Sequence, residues 1–269
     1  MPLIQPPIGV FDSGVGGLSV LRALRAELPS EDFVYVADSG FAPYGERSEA
    51  FIVARARAIT THLVRQRQPA IKTLVVACNT ATAVAIRLLR QNHPDLPIVG
   101  LEPALKPAAA ISQTRRIGVM ATRGTLASHK FQTLLASLSA QADFVCQPCD
   151  GLARAIEHDA AAEIERLCEL YVAALGPLGP GTGQIDTLVL GCTHYPFAGA
   201  VLRRLVGPAV TLVDNGGPVA RQTRRVLPAL NPAAHAGQIV LASTGQPDNL
   251  AQAARRWLHL DSPVLPLTL

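Results

Sequence analysis

"IGVFDSGVGGLSVLRALRAELP", residues 8–29, contains three local patterns in succession. A short apolar run comes first, a glycine-rich segment follows, and leucines then recur at the spacing of one helix face. The stretch therefore predicts a β-strand, a loop and an α-helix. The leucines on the predicted helix face are Leu18, Leu21, Leu24 and Leu28.

The same alternation continues along the first hundred residues. Buried-strand patterns occur in "DFVYVAD" (32–38), "TLVVAC" (73–78) and "PIVGLEP" (97–103). Between them lie segments rich in helix formers, at 48–68 and in "ATAVAIRLLRQN" (81–92). Strands that alternate with helices are typical of a parallel, layered sheet, so the sequence predicts an α/β fold.

Further along the chain the pattern begins again. "RIGVMATRGTLAS" (116–128) resembles "PIGVFDSGVGGLS" (7–19). Cys78 ends a strand pattern after the first copy, and Cys192 ends a similar one at nearly the same distance after the second. We infer two similar halves, each with a cysteine at the carboxyl end of a central strand. Open α/β sheets bind their ligands at that edge.

The fold prediction is two similar Rossmann-like or flavodoxin-like α/β domains with mainly parallel sheets, related by pseudo-symmetry, with the active site in the cleft between them. The first domain is predicted to comprise residues 1–100 and 213–269, and the second domain residues 101–212. The tail carries a helix pattern in "ARQTRRVLPAL" (220–230) and a strand pattern in "QIVLASTG" (238–245). It is too short for a third domain, so it is predicted to return to the first.

The composition excludes several classes of protein. Hydrophobic residues make up 49% of the chain and charged residues 16%, which allows a substantial core and argues against long disorder. The basic residues are scattered and aromatic residues make up only 4%, so nucleic-acid binding is not expected. No apolar segment approaches the roughly 18–20 residues of a membrane helix. The N-terminus lacks the basic and apolar regions of a signal peptide.

The five cysteines indicate a reducing compartment. Their number is odd, and they are widely spaced apart from Cys146 and Cys149, which argues against a disulfide framework. We therefore predict a cytoplasmic protein. The Cys146–Cys149 pair has the spacing of a zinc or redox half-site, but it contains Pro148 and no second pair of ligands follows nearby. No metal site is predicted.

Both strand-end cysteines are followed at once by polar residues, Cys78 by Asn-Thr and Cys192 by Thr-His. A single buried cysteine is most often a small hydrophobic residue. Here the polar neighbours and the predicted helix starts favour a thiolate instead. His194 is either a proton relay for Cys192 or a structural histidine.

Two opposed thiols suit one kind of reaction. A nucleophilic cysteine needs a single thiol with a base and an oxyanion hole. Inversion at a carbon needs one thiolate that removes a proton from one face and one thiol that delivers a proton to the other. The free pKa of cysteine, about 8.5, makes both forms accessible near neutral pH. Pyridoxal phosphate is not predicted as a cofactor, because the lysines at 72, 106 and 130 lie in no recognisable phosphate-binding context.

Most of the remaining candidate residues have two interpretations. Asp12 and Ser13 in "FDSGVGG" either face a ligand or belong to a strand-to-helix turn that Asp12 caps. "APYGERS" is either a binding loop or an ordinary turn. Thr122 and Thr125 occupy the corresponding first loop of the second half. Glu157 is either a site residue or a solvated charge on a helix.

Taken together, these segments resemble the glutamate racemase family, within the aspartate/glutamate racemase superfamily. The similarity is carried by "IGVFDSGVGGLSVL", "ADSGFAPYGERS", "VVACNTATA", "IGVMATRGT", "LVLGCTHYP" and "VDNG". It implies two α/β domains with the site between them and a cofactor-independent interconversion of L- and D-glutamate that supplies D-glutamate for peptidoglycan. The expected partners are a small-molecule substrate and a second copy of the chain in a homodimer. No interaction with a membrane is expected.

The resemblance also assigns roles to residues. Cys192 would take the proton from L-glutamate and Cys78 the proton from D-glutamate, with Asp12 and His194 assisting and Glu157 as a further acidic residue near the site. The implied substrate-binding positions are Asp12, Ser13, Pro43, Tyr44, Gly45, Asn79, Thr80, Thr122, Thr125, Thr193 and His194.

Two departures from the family pattern fall in the tail. Gln246 follows Thr-Gly where the family usually has aspartate, and Asn215 replaces a serine. Because both lie away from the cysteine motifs, the predicted activity does not depend on them. The alternatives to glutamate racemisation are an aspartate or other amino-acid racemase of the same superfamily, and a non-catalytic binding or regulatory protein on this scaffold.

Overall fold

The computed structural model describes residues 6–227 and 237–269. The first five residues of the chain, which bear on the signal-peptide prediction, and the predicted helix end at 228–230 lie outside the described residues. The chain divides into two compact units. Unit 1 comprises Met1–Leu101 and Gly216–Leu269, and unit 2 comprises Glu102–Asn215.

Each unit is a parallel α/β layer structure, as the alternating pattern predicts. Strands and helices are numbered along the chain. The strands are β1 (Ile8–Asp12), β2 (Phe33–Ala37), β3 (Thr73–Val76), β4 (Ile98–Gly100), β5 (Arg116–Ala121), β6 (Asp143–Pro148), β7 (Thr187–Leu190), β8 (Thr211–Val213), β9 (Ile239–Ser243) and β10 (Val264–Pro266). The helices are α1 (Leu18–Glu27), α2 (Glu49–Thr61), α3 (Asn79–Asn92), α4 (Leu105–Ile111), α5 (Arg123–Ala127), α6 (His129–Leu138), α7 (Leu152–Glu157), α8 (Ala161–Ala174), α9 (Gly199–Val206), α10 (Gly216–Val226) and α11 (Pro247–Leu258).

Unit 1 contains a six-stranded sheet in the order β10-β9-β2-β1-β3-β4. Every residue of β1, β2 and β3 is buried, as expected for strands with helices on both faces of the sheet. The leucines that predict α1 are buried, so that helix face lies against the core. Helix α2 continues into a π-helical turn at His62–Gln66, which ends shortly before Pro69.

The register of unit 1 brings several strand ends to one edge of the sheet. Phe11 pairs with Val36 on one side and with Val76 on the other, and Ala37 pairs with Ser243. The residues that end or follow these strands therefore lie next to one another at the carboxyl edge. They are Asp12 and Ser13, Asp38, Cys78 and Thr244.

Unit 2 contains a four-stranded sheet in the order β6-β5-β7-β8. The Gly191 N–H donates to the Met120 carbonyl over 2.7 Å, and the Cys149 N–H donates to the Ala121 carbonyl over 2.9 Å. The carboxyl ends of β5, β6 and β7 therefore meet at one edge. Thr122 and Cys192 follow β5 and β7 at that edge.

The repeat seen in the sequence is also present in the strand pairing, since β1 pairs with β3 in the same register as β5 pairs with β7. Ile8 pairs with Thr73 in unit 1, and Ile117 pairs with Thr187 in unit 2. Gly9 and Gly118 are the next residues of β1 and β5, and each lies under packed side chains. A Cβ on Gly9 would come within 2.9 Å of Ile71 Cδ1, and one on Gly118 within 2.9 Å of Leu188 Cδ1. The Ile-Gly-Val motif thus lies in an interior strand of each sheet.

The unit boundaries differ slightly from those drawn on the sequence. The sequence-based boundaries, after residues 100 and 212, fall after 101 and 215 in the structure. The second difference has a physical cause, since β8 pairs with β7 up to Val213 and so belongs to the sheet of unit 2. Within residues 6–227 and 237–269, no helix has the length and apolar character needed to cross a membrane.

Candidate active site

Cys78 lies at the N-terminus of a helix. It is the N-cap residue of α3, and its sulfur accepts a hydrogen bond from the Ala81 N–H over 3.4 Å. The side chain is buried. The positive end of the helix dipole favours a negative sulfur at this place. The next two residues, Asn79 and Thr80, form that first turn and are also buried.

A hydroxyl and a carboxylate lie behind Cys78. The Cys78 thiol donates to Ser13 Oγ over 3.8 Å, and Ser13 Oγ donates to Asp12 Oδ1 over 3.3 Å. The Ser13 N–H also donates to Asp12 Oδ1, over 2.6 Å, which orients the carboxylate. Asp12 is fully buried at the end of β1. Cys78, Ser13 and Asp12 therefore form a connected path from a thiol to a buried carboxylate.

The loop around Asp12 is held by close packing. The Tyr35 hydroxyl donates to the Gly14 carbonyl over 2.6 Å. A Cβ on Gly17 would lie 2.6 Å from Asp12 Cβ and 2.8 Å from the Tyr35 hydroxyl oxygen. The backbone of Gly17 is in the ordinary right-handed helical region, which any residue can adopt. Glycine is therefore required at this position by the close neighbours and not by the backbone conformation.

The loop that carries Pro43, Tyr44 and Gly45 also belongs to this edge. A 3₁₀ turn at Tyr44–Glu46 packs against α3. The Tyr44 side chain is buried in the same apolar cluster as Cys78. Its hydroxyl donates to Asp38 Oδ2 over 2.5 Å. Burial and the neighbouring Asp38 carboxylate raise the pKa of Tyr44 far above its usual range, so the phenol stays a proton donor.

Unit 2 contains a second cysteine with its own polar partners. Cys192 follows β7 after Gly191 and is buried. Its sulfur lies 3.8 Å from His194 Nδ1, and His194 Nε2 lies 2.7 Å from Glu157 Oε2. Glu157 is the last residue of α7, and its side chain is 9% exposed. The interpretation of Glu157 as a solvated charge is therefore wrong, since its carboxylate is paired with a buried imidazole.

The electrostatics of this cluster favour a charged histidine. Burial by itself would lower the pKa of His194, but the hydrogen bonds to Cys192 and Glu157 and the charges of both partners outweigh it. The pKa of His194 lies well above its ordinary value as a result. The imidazolium places a positive charge beside the Cys192 sulfur.

The other predicted residues of unit 2 lie at the same end of its strands. Thr122 caps α5 by accepting from the Thr125 N–H over 3.2 Å, and its hydroxyl donates to Thr125 Oγ1 over 2.9 Å. Thr193 is buried between Cys192 and His194. The structure thus collects the predicted residues into two sets, one in each unit. The set in unit 1 is Asp12, Ser13, Pro43, Tyr44, Gly45, Cys78, Asn79 and Thr80, and the set in unit 2 is Thr122, Thr125, Glu157, Cys192, Thr193 and His194.

Cys146 lies in β6, and Cys149 directly follows that strand. Among the residues that the structure describes, no group of three or more histidine, cysteine or acidic side chains is arranged to hold a metal ion. Burial raises the pKa of Cys146 to about 11 and raises that of Cys149 further. Both groups are therefore thiols at neutral pH.

Comparison with known proteins decides the family. The family model of the Asp/Glu/Hydantoin racemases matches residues 8–217. The chain belongs to this family. It is accordingly an isomerase, and the match spans every predicted site residue in both units.

Individual relatives cover almost the whole chain. The glutamate racemase of Ectopseudomonas mendocina is 49% identical over 98% of this chain and 95% of its own length. Glutamate racemase isoform RacE1 from Bacillus anthracis has a TM-score of 0.85 at 29% identity, with 98% of each chain covered. The Escherichia coli glutamate racemase, solved with L-glutamate and the activator UDP-MurNAc-ala, has a TM-score of 0.82 at 30% identity and covers 98% of this chain and 100% of its own.

Sequence reasoning missed three residues around Tyr44. Asp38 ends "VYVAD", Arg55 lies on α2, and Thr244 follows β9 in the tail. The tail contributes to this group, because the Thr244 hydroxyl donates to the Asp38 carboxylate that holds Tyr44. The signal available in the sequence was the Thr-Gly pair at 244–245, directly after a strand at a sheet edge that binds ligands.

Proposed function

We propose that this protein is a cofactor-independent glutamate racemase that moves the Cα proton between Cys192 and Cys78. The observation that carries the proposal is the pair of buried strand-end cysteines, each with its own polar path. Cys78 is linked through Ser13 to Asp12, and Cys192 is linked through His194 to Glu157. The choice of glutamate is supported by the glutamate racemases that share up to 49% identity over nearly the full length.

In the direction from L- to D-glutamate, the Cys192 thiolate takes the proton from Cα. The C–H bond electrons remain on Cα as a carbanion, and the Cys78 thiol then gives its proton to the opposite face. Cys192 ends as a thiol and Cys78 as a thiolate, so the proton count is unchanged. His194, held as an imidazolium, stabilises the Cys192 thiolate before the transfer.

The reverse direction begins at Cys78. The N-terminus of α3 stabilises the thiolate, and Ser13 connects the thiol to the Asp12 carboxylate. The two paths differ in kind, since one linker is a hydroxyl and the other a titratable imidazole. We propose that both cysteines act on one substrate carbon from opposite faces.

Substrate binding is assigned to the polar groups around the two cysteines. Backbone N–H groups in the first turn of α3, beside Asn79 and Thr80, suit a carboxylate of the substrate. The hydroxyls of Ser13, Thr122 and Thr193 supply further hydrogen bonds. Fixed donors of this kind stabilise the charge that develops on the carboxylate when Cα loses its proton. Tyr44, with Pro43 and Gly45, completes the set in unit 1.

The biological role that follows is the supply of D-glutamate for peptidoglycan. A homodimer and a cytoplasmic location remain predictions from the sequence.

One experiment tests the activity. The purified protein is incubated with L-glutamate in deuterated water without any added cofactor, and optical rotation and Cα deuterium are followed. We expect rotation to fall to zero, because the enantiomers have equal free energy, and deuterium to enter Cα. The same assay with L-aspartate tests the alternative substrate. No exchange with either enantiomer of either amino acid contradicts a racemase function.

The two-thiol mechanism is tested separately. Cys78→Ser and Cys192→Ser should each abolish racemisation, and Cys146→Ser should leave it unchanged. Full activity in either of the first two variants rules out the mechanism.

A further inference from the structure

The buried Asp38 carboxylate in unit 1 joins the Tyr44 loop, helix α2 and the tail of the chain. Asp38 is fully buried directly after β2, and its N–H donates to the Asp12 carbonyl over 2.9 Å. Its carboxylate accepts four hydrogen bonds. The donors are the Tyr44 hydroxyl at 2.5 Å, Arg55 Nε at 2.9 Å, Arg55 Nη2 at 2.8 Å and Thr244 Oγ1 at 2.8 Å.

These four bonds define what Asp38 does. A carboxylate offers about four lone-pair positions to donors, so this one is filled. It has no acceptor position left for a substrate ammonium or for a transferred proton. Asp38 therefore holds its neighbours in place and is not itself an acid or base of the reaction.

Arg55 and Thr244 hold the loop between residues 39 and 46 from two sides. The Arg55 guanidinium carbon lies 3.9 Å from the centre of the Phe41 ring, in addition to its paired bonds to Asp38. On the other side, Thr244 Oγ1 accepts from the Gly40 N–H over 3.3 Å. A Cβ on Gly40 would lie 2.7 Å from the Thr244 carbonyl oxygen. The loop and the tail thus meet backbone to backbone.

The loop in turn lies against the cysteine of unit 1. The 3₁₀ turn at Tyr44–Glu46 packs on α3, and Tyr44 shares its apolar cluster with Cys78. A displacement of the Tyr44 ring therefore changes the surroundings of Cys78.

We propose that Thr244 and Arg55 are positioning residues for racemisation, which hold the loop at residues 39–46 against Cys78 through the Asp38 carboxylate. This inference rests on the proposed function, in which Tyr44 and its neighbours bind the substrate. It assigns a role to Thr244, which directly follows β9 in a part of the chain that carries none of the predicted catalytic groups.

The test removes one donor and keeps the shape of the side chain. Thr244→Val lacks the hydroxyl, and Thr244→Ser retains it. The matched control is Thr73→Val, because Thr73 is buried in the same sheet and its Oγ1 has no hydrogen-bond partner among the described residues. We expect Thr244→Val to raise KM for glutamate about tenfold in both directions with a smaller change in kcat, as for lost ground-state binding. Thr244→Ser and Thr73→Val should stay within about twofold of the wild type.

A second measurement does not depend on activity. Amide hydrogen exchange of residues 39–46 should be at least several-fold faster in Thr244→Val and in Arg55→Lys than in Thr73→Val. If Thr244→Val leaves the amide exchange of residues 39–46 unchanged, or leaves KM unchanged, the proposal is contradicted. It is also contradicted if Thr244→Ser does not have the exchange rate and the KM of the wild type. If the wild type does not racemise glutamate, the proposed function fails, and the exchange data still decide whether Thr244 and Arg55 hold the loop.

Discussion

His194 Nε2 lies 2.7 Å from Glu157 Oε2, and both side chains are almost completely removed from solvent. In this surrounding a neutral imidazole beside a carboxylate leaves a buried negative charge without a counterion, which is costly. The pair is therefore stable with His194 protonated, in agreement with the raised pKa of His194. Glu157 is thus linked to Cys192 through the histidine.

Replacement of the Glu157 carboxylate should shift the pH profile. Glu157→Gln keeps the shape of the side chain and removes its charge, so the pKa of His194 should fall. Activity that needs the imidazolium is lost as the pH rises through this pKa. The basic limb of kcat/KM should therefore move to lower pH by about one unit, which corresponds to about 1.4 kcal/mol. A profile with the same basic limb as the wild type contradicts this role for Glu157.

The same histidine should make the stability depend on pH. Its pKa in the folded state lies above the unfolded value of about 6.5. Its contribution is therefore complete below about pH 6.5 and is lost as the pH rises through the folded pKa. Between about pH 6.5 and the folded-state pKa, the free energy of unfolding of the wild type should fall relative to that of His194→Gln by up to about 1.4 kcal/mol per pH unit. Urea denaturation of both proteins at pH 6 and pH 8.5 measures the difference.

Loss of the Ser13 hydroxyl should affect one proton transfer more than the other. Ser13→Ala breaks the path from Cys78 to Asp12 and should slow removal of the proton from D-glutamate. Because the equilibrium constant is one, kcat/KM must remain equal in the two directions, so the effect has to be read from isotope effects. We expect the Cα-deuterium isotope effect on kcat/KM to rise for D-glutamate and to fall for L-glutamate. Equal changes for both enantiomers contradict a role limited to Cys78.

The contact around residue 17 predicts a steric effect on the site. In Gly17→Ala the new methyl group would lie 2.6 Å from Asp12 Cβ, so the loop or the carboxylate has to move. We expect a loss of about 1–3 kcal/mol in stability, as for overpacked interiors, together with a loss of activity of at least tenfold. Gly199→Ala is the matched control, because nothing lies within 4 Å of its Cβ position in helix α9. Wild-type activity in Gly17→Ala overturns the prediction.

Gln246, where the family usually has aspartate, is a position at which a substitution should increase stability. Gln246 is the N-cap of α11, its backbone is extended, and its side chain makes no capping hydrogen bond. Aspartate accepts such bonds well, so Gln246→Asp should stabilise the protein by about 0.5–2 kcal/mol. Thermal denaturation measures this gain, and Gln246→Ala should show none. Racemisation is expected to stay unchanged in both variants.

The fold was predictable because its signal is local and repeated. The Ile-Gly-Val motif and the strands that end in cysteine occur twice, and each pair has the same register in its sheet. The boundary after residue 215 was not predictable to the residue, because the short edge strand β8 resembles a linker until its pairing with β7 is known.

The candidate site was predictable where its residues adjoin a cysteine or a glycine-rich loop. The surroundings of Tyr44 were not, because Asp38 and Thr244 are separated by 206 positions and meet only after the sheet has formed. Glu157 had an equally plausible solvated interpretation, since a single acidic residue on a helix gives no sign of burial. Only the packing of α7 shows that its carboxylate meets His194.

Strand β9 lies between β10 and β2, so the tail of the chain completes a sheet whose first strand is β1. During synthesis, a ribosome adds Cys78 and Cys192 well before it reaches Thr244, which follows β9. Domains generally fold as units as the chain emerges, but unit 1 has to wait for its last strands. A nascent chain therefore carries Cys78 and Cys192 before the contacts that hold the Tyr44 loop can form, and we expect catalysis to begin only after Thr244 has been added.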